Sequence, residues 1–214
     1  MRVGSGFFSP SRPTRDIRFA GEAGVMKLNE VYTISALTKS NNGKMVKMEY
    51  KNETETFTLP NGGKIEISKR LYLFQKWSGE KIKNDYGGKA VLDYEGHPLF
   101  AELVILHLLE KEEWSGVWVD TYGKKFRNDL PEKAEPIILP ADEQSLLDKI
   151  SDRAGGFKGC WDVFAWKGNE YLFAESKRLG KDAIRDTQIN WLSAALEVGV
   201  SPKSFLLIEW NLTN

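Results

Sequence analysis

Two short apolar runs joined by a polar, glycine-bearing tetrapeptide, then a helical stretch and a third apolar run, constrain this chain more than any other feature. Residues 160–166 (CWDVFAW) are apolar except for Asp162. Residues 167–170 (KGNE) have hairpin-turn composition, and residues 171–174 (YLFA) form a second apolar run that ends in Glu175-Ser176-Lys177. Successive strand residues point to opposite faces, so Glu175 and Lys177 share one side of the sheet. In a paired hairpin Asp162 lies on the neighbouring strand and faces the same spot. Two carboxylates and an ammonium therefore converge at the edge of an apolar sheet.

That trio suits one kind of chemistry. Mg²⁺ and Mn²⁺ prefer hard oxygen ligands and keep several waters, so paired carboxylates can hold them. Such an ion polarises a phosphodiester and activates its bound water, while a nearby Lys orients that water or neutralises developing charge. The bare pattern is short, and a solvated strand end carries the same residues. The segment after Lys177 is more telling. With Asp182 as N-cap and Gly199 at the C′ position, the spacing predicts a helix over about residues 183–198. Its apolar stripe takes Ile184, Trp191, Leu192 and Ala195. Gln188 falls on that stripe, where a polar amide needs partners to offset its desolvation. Residues 205–208 (FLLI) then read as a buried strand.

The succession Gly-x-x-Asp from Gly159, an apolar strand, Glu-x-Lys, a basic loop and Gln-x-x-Trp-Leu resembles the VRR-Nuc group of the PD-(D/E)xK nuclease superfamily. So does a helix ending in Gly-Val before another strand. The resemblance covers roughly residues 99–210. It implies a restriction-endonuclease-like core, a mixed central sheet flanked by helices, and divalent-metal-dependent hydrolysis of DNA, branched or duplex. It further implies that Asp162 and Glu175 hold Mg²⁺ or Mn²⁺, that Lys177 serves the attacking water and that Gln188 orients water or phosphate. Arg178, Lys181 and Arg185 fall where the scissile strand would pass. A homodimer is one way such compact nucleases cut two strands. One departure stands out: the residue before the acid is usually Pro in the family and is Trp161 here.

The 214 residues, 41% hydrophobic with seven Trp, allow one domain with a sizeable core and a small appendage. The single cysteine, Cys160, excludes an internal disulfide and reads as an inert core thiol. No signal peptide or membrane-length run stands out, so the expectation is a soluble, cytoplasmic protein. Formal net charge is zero, yet it is unevenly spread. Residues 1–90 hold 16 Lys+Arg against 9 Asp+Glu, and residues 91–214 hold 14 against 21. A DNA-gripping front half beside an acidic, metal-collecting back half has that distribution.

Residues 1–24 read as a flexible basic arm with Arg12, Arg15 and Arg18. Residues 25–90 read as a small β-rich accessory domain of four short strands, with residues 84–88 (NDYGG) as a linker. Residues 91–214 form the expected core. Pro98 suits N1 of a helix to about residue 113, on which Glu102 projects from a greasy face and is a candidate third metal ligand. Residues 117–122 read as a strand whose Asp120 is a further ligand candidate, and 123–127 as a basic loop whose Lys124, Lys125 and Arg127 could grip a phosphate backbone. A short helix over residues 142–150, capped by Asp142, precedes the site hairpin. Phosphate-loop, HExxH, CxxC and GxSxG motifs are absent, and two His with one Cys leave little for zinc or Cys/His chemistry. The fold class expected is α/β with an N-terminal β-rich appendage. Two functions stay open: a metal-dependent DNA endonuclease, and a non-catalytic nucleic-acid-binding protein that keeps the fold.

Overall fold

Strand-forming residues run longer in the first half of the chain than its local turn signals suggest. The computed structural model describes residues 33–39 and 45–213, with side chains from residue 52 onward. Strand β1 (Thr33–Lys39) pairs antiparallel with β2 (Met45–Thr58), which pairs antiparallel with β3 (Lys64–Lys76). The tight turn at residues 59–63 is closed by Leu59 and Gly63 backbone bonds and by the Asn61 side chain accepting from the Gly63 N–H. The arm with Arg12, Arg15 and Arg18 lies outside the described residues.

Two short strands, β4 (Leu92–Tyr94) and β5 (His97–Leu99), form a hairpin hung from the end of β3. Both central turn residues have positive φ, Glu95 at 55° and Gly96 at 84°, as a two-residue hairpin turn demands. Pro98 is thereby taken into β5, opposite Asp93, and does not open the following helix. Helix α1 (Ala101–Lys111) starts three residues later, its first turn carrying Glu102, where the helix dipole favours an acid.

Strand β6 (Ser115–Asp120) pairs with β7 (Lys125–Arg127), so the expected basic loop is half strand. Helix α2 (Ala141–Ala154) begins after Pro140, not at a cap from Asp142, and stops at Gly155 in the left-handed conformation. The predicted hairpin comes next as β8 (Val163–Lys167) and β9 (Glu170–Arg178). Helix α3 (Asp186–Glu197) starts later than expected because the Asp182 carboxylate is used elsewhere: it accepts from the Arg178 N–H and closes a turn. Strand β10 (Phe205–Leu212) completes the set.

The eight long-path strands run in the order β1-β2-β3-β10-β9-β8-β6-β7. β10 lies parallel to both β9 and β3, and the other pairings are antiparallel. Across the expected boundary near residue 90, β3 is bonded to β10 along much of its length, and the described residues fall within one compact unit. Local turn signals could not reveal this, because the joining partner is the most distant strand in sequence.

Alternation along the central strands builds two cores. Val163, Ala165 and Ala174 face α1, packing with Leu103, Leu106 and Ile208. Phe164, Phe173, Phe205 and Leu207 face the other way, against Trp191, Leu192 and Leu147 of α3 and α2. The fold is thus mixed α/β, a large central sheet flanked by three helices. Among the described residues, no helix is long and apolar enough to cross a membrane.

Candidate active site

The β8–β9 register places Val163 opposite Ala174, which sets Asp162 beside Glu175 just beyond the paired region. Backbone and side chain then interlock. The Asp162 N–H donates to Glu175 Oε2 at 3.2 Å, and the Ser176 N–H donates to Asp162 Oδ2 at 3.0 Å. Lys177, two residues along the same strand face, donates to Glu175 Oε1 at 2.7 Å. Gln188 reaches the same oxygen from α3 at 2.5 Å, while its own Oε1 accepts from the Arg185 N–H at 3.0 Å. Glu175 is wholly buried, and Lys177 and Gln188 nearly so. Buried polar groups of this kind hold their geometry because each lost partner would cost about 1–3 kcal/mol or more.

Gln188 is held in place by a second lock. Gly159 has φ +93°, and a Cβ there would lie 2.1 Å from the Thr187 carbonyl oxygen. The Trp161 indole N–H donates to the Gln188 carbonyl at 3.3 Å. The turn before β8 thus presses directly on the first turn of α3. Gly159→Ala meets both a forbidden φ and a backbone clash, so we expect it to destabilise by about 3 kcal/mol, read from urea unfolding midpoints at unchanged slope.

These groups floor a cleft of about 1390 Å³. Glu102, Lys124, Lys125, Arg178, Lys181 and Arg185 also line it. Arg127 does not: it is buried on β7, with Nε 3.1 Å from Asp120 Oδ2. The same carboxylate accepts from the Tyr86 hydroxyl at 2.7 Å and, through Oδ1, from the Gly123 N–H. Asp120 is therefore a structural hub and not a free ligand, and Tyr86, its phenol pushed up to about 12 by burial and the Asp120 hydrogen bond, remains a donor. Glu102 is buried at the head of α1, and Lys89 Nζ lies 2.5 Å from its Oε1. Lys89 is a site residue that the sequence does not single out, its only local signal being the turn-forming run before it. His107 bonds Glu110 and stacks on Tyr94, away from the cleft. Cys160 is buried, its thiol held well above the usual range by burial and by the Glu175 and Asp162 charges.

The electrostatics carry the site's chemical meaning. Burial, then the charges of Glu175 and Glu102, raise the Asp162 carboxyl well above its ordinary value, and Lys89 and Lys177 only partly oppose this. Glu175 is raised too, by burial first, with Lys177 pulling the other way. Among the described residues no three His, Cys, Asp or Glu side chains form a ready metal-holding group. The two hard carboxylates nevertheless fit Mg²⁺ or Mn²⁺, which take one or two protein oxygens and complete their shell with water, and a cation would relieve the repulsion that raises Asp162. A group whose folded pKa is raised destabilises the fold as pH climbs from its unfolded value, 3.8 for Asp162, through the folded one. In chelator, Asp162→Asn should therefore raise Tm near neutral pH, by about 2–4 °C per kcal/mol relieved, with a smaller gain near pH 4. Differential scanning calorimetry at both pH values checks this.

Fold and cleft together define a mixed α/β protein whose central strands and first helix gather acids and lysines under a basic rim. Comparisons with protein families, with curated proteins and with solved structures find no match for this chain.

Proposed function

We propose that the protein is a divalent-metal-dependent DNA endonuclease with a restriction-endonuclease-like core, in keeping with its resemblance to the VRR-Nuc group. One observation carries this reading: Asp162, Glu175, Lys177 and Gln188, from three different elements, converge at the floor of a cleft rimmed by Arg178, Lys181, Arg185, Lys124 and Lys125. The element order supports it as well. Helix α1, the antiparallel trio of β6, β8 and β9 with β7 and α2 inserted after β6, helix α3 and the parallel strand β10 follow in an order compatible with such a core.

Asp162 and Glu175 would hold the Mg²⁺ or Mn²⁺ ion, which when bound supplies charge neutralisation and an acidified water. The remaining work belongs to the chain. Lys177, fixed on Glu175, orients a water beside the scissile phosphate and offsets developing charge. Gln188 fixes the Glu175 rotamer through Nε2 and the start of α3 through Oε1. The rim cations hold the phosphate backbone, a contribution that salt should weaken steeply. Glu102 is paired with Lys89 in this arrangement.

A panel of labelled branched and linear DNAs, incubated with Mn²⁺ and with chelator, tests the proposal. Cleavage only with the ion supports it, and no cleavage of any substrate overturns it. A non-catalytic nucleic-acid-binding protein is the second reading, favoured by the lack of a three-acid group among the described residues. Calorimetry with Mn²⁺ separates the two. Uptake that depends on Asp162 supports the enzyme, and DNA binding indifferent to metal supports the binding protein.

A further inference from the structure

A second lysine, outside the D…ExK pattern, stands among the carboxylates. Lys89 comes from a strap over residues 84–90 that crosses the cleft wall. The strap is built by tight turns: Tyr86, Gly87 and Gly88 all have positive φ, at 52°, 78° and 106°. The Asn84 and Asp85 side chains accept from the Tyr86 and Gly88 N–H groups, and the Asp85 carbonyl accepts from the Lys89 N–H. The Tyr86 hydroxyl on Asp120 pins it to the sheet, and its ring packs edge-on to Phe100 and Trp118. Lys89 is thus delivered from a fixed backbone. Its stem passes the Phe100 and Trp118 rings, with Nζ 5.7 and 5.2 Å from their centroids, and ends 2.5 Å from Glu102 Oε1. Lys89, Glu102 and Asp162 all line the same cleft.

Two cations therefore already serve these acids, Lys177 on Glu175 and Lys89 on Glu102. Their situations differ. Lys177 is buried on a central strand, whereas Lys89 is half-buried and also borders a second, smaller cavity. An ammonium with space to retreat can be exchanged for another cation.

We infer that Lys89 is a tethered counter-ion that a divalent cation displaces from Glu102, so that the lysine sets metal affinity and its departure releases Glu102 to complete the ligand set. The inference rests on the metal reading of the site. It makes Lys89 a positioning residue acting through Glu102.

Mn²⁺ affinity of the full-length chain, measured calorimetrically and by the loss of the free-ion electron paramagnetic resonance signal, tests it without recourse to cleavage. Lys89→Met keeps the apolar stem over the rings and removes the charge. It should bind Mn²⁺ about tenfold tighter or better, because the positive charge that competes for Glu102 is gone. Lys89→Arg should bind like the parent. Adding Glu102→Gln to Lys89→Met should cancel the gain, the coupling expected when two residues act through one contact. Circular dichroism establishes that each variant is folded, and Lys89→Gln replaces Lys89→Met if the latter is not. Unchanged or weaker binding by the charge-removed variant overturns the inference, as does a gain that survives Glu102→Gln. If the parent takes up Mn²⁺ in an Asp162-dependent way while Lys89→Met changes nothing, only the role of Lys89 falls. If no variant binds the ion, the metal reading falls with it.

Discussion

A Glu175→Ala protein should cleave DNA in Mn²⁺ at least roughly 10³-fold more slowly than the parent, measured as single-turnover rates on whichever labelled substrate the parent cuts best. The size reflects how much converges on one side chain. Glu175 would hold the ion, and it fixes Lys177 at 2.7 Å and Gln188 at 2.5 Å. Removing it takes away the ion, the ammonium that orients water, and the amide that bridges to α3. Residues acting as one unit fail together, so adding Lys177→Ala to Glu175→Ala should cost little more. Because the loss leaves the buried Lys177 and Gln188 without this partner, circular dichroism must first establish that the variant is folded. Cleavage at near the parental rate would remove Glu175 from the chemistry and the proposed mechanism with it.

The largest effect on stability is expected from Trp161→Ala, at about 3–5 kcal/mol of unfolding free energy in urea. Against a total of about 5–15 kcal/mol for an ordinary domain, that is a substantial fraction. The indole is almost fully buried and meets Phe205 edge-on at 4.9 Å, so its truncation leaves a cavity where β10 packs. It also loses the bond to the Gln188 carbonyl, and with it part of what aligns α3 to the acid site. Trp161→Phe keeps most of the contact and should cost less than half as much while preserving Mn²⁺ uptake. An alanine variant as stable as the parent would show that this residue only fills space that others can fill.

How much of this could be read before any coordinates depended on the range of the interaction concerned. The β8–β9 hairpin was legible because it is local: two apolar runs, a Gly-bearing turn and a period of two place Asp162 against Glu175 with no distant information. Gln188 was legible because an amide on an apolar stripe demands partners, and it has two. Helix limits were less so. Asp182 looks like a cap and is used to close a turn at Arg178, and Pro98 looks like a helix start and lies in a strand. In both cases two local preferences competed, and tertiary pairing decided. Arg127 illustrates a different blindness. Nothing in a basic run says which member will be drawn inward, and only the buried Asp120 one strand away settles that it is Arg127 and not Lys125. The β3–β10 pairing was invisible because its strands lie far apart in the chain, and Lys89 because the turns between it and α1, not any regular spacing, bring it onto Glu102.

The placement of β10 has a consequence for how the molecule is made. It fills the gap between β9 and β3, so until it arrives each of those strands shows an unsatisfied ladder to the cell. On the ribosome the early strands must wait for almost all the intervening polypeptide to emerge before the sheet can be closed, a long-range joining that is inherently slow. The nascent protein should accordingly depend on chaperones more than its size alone would suggest.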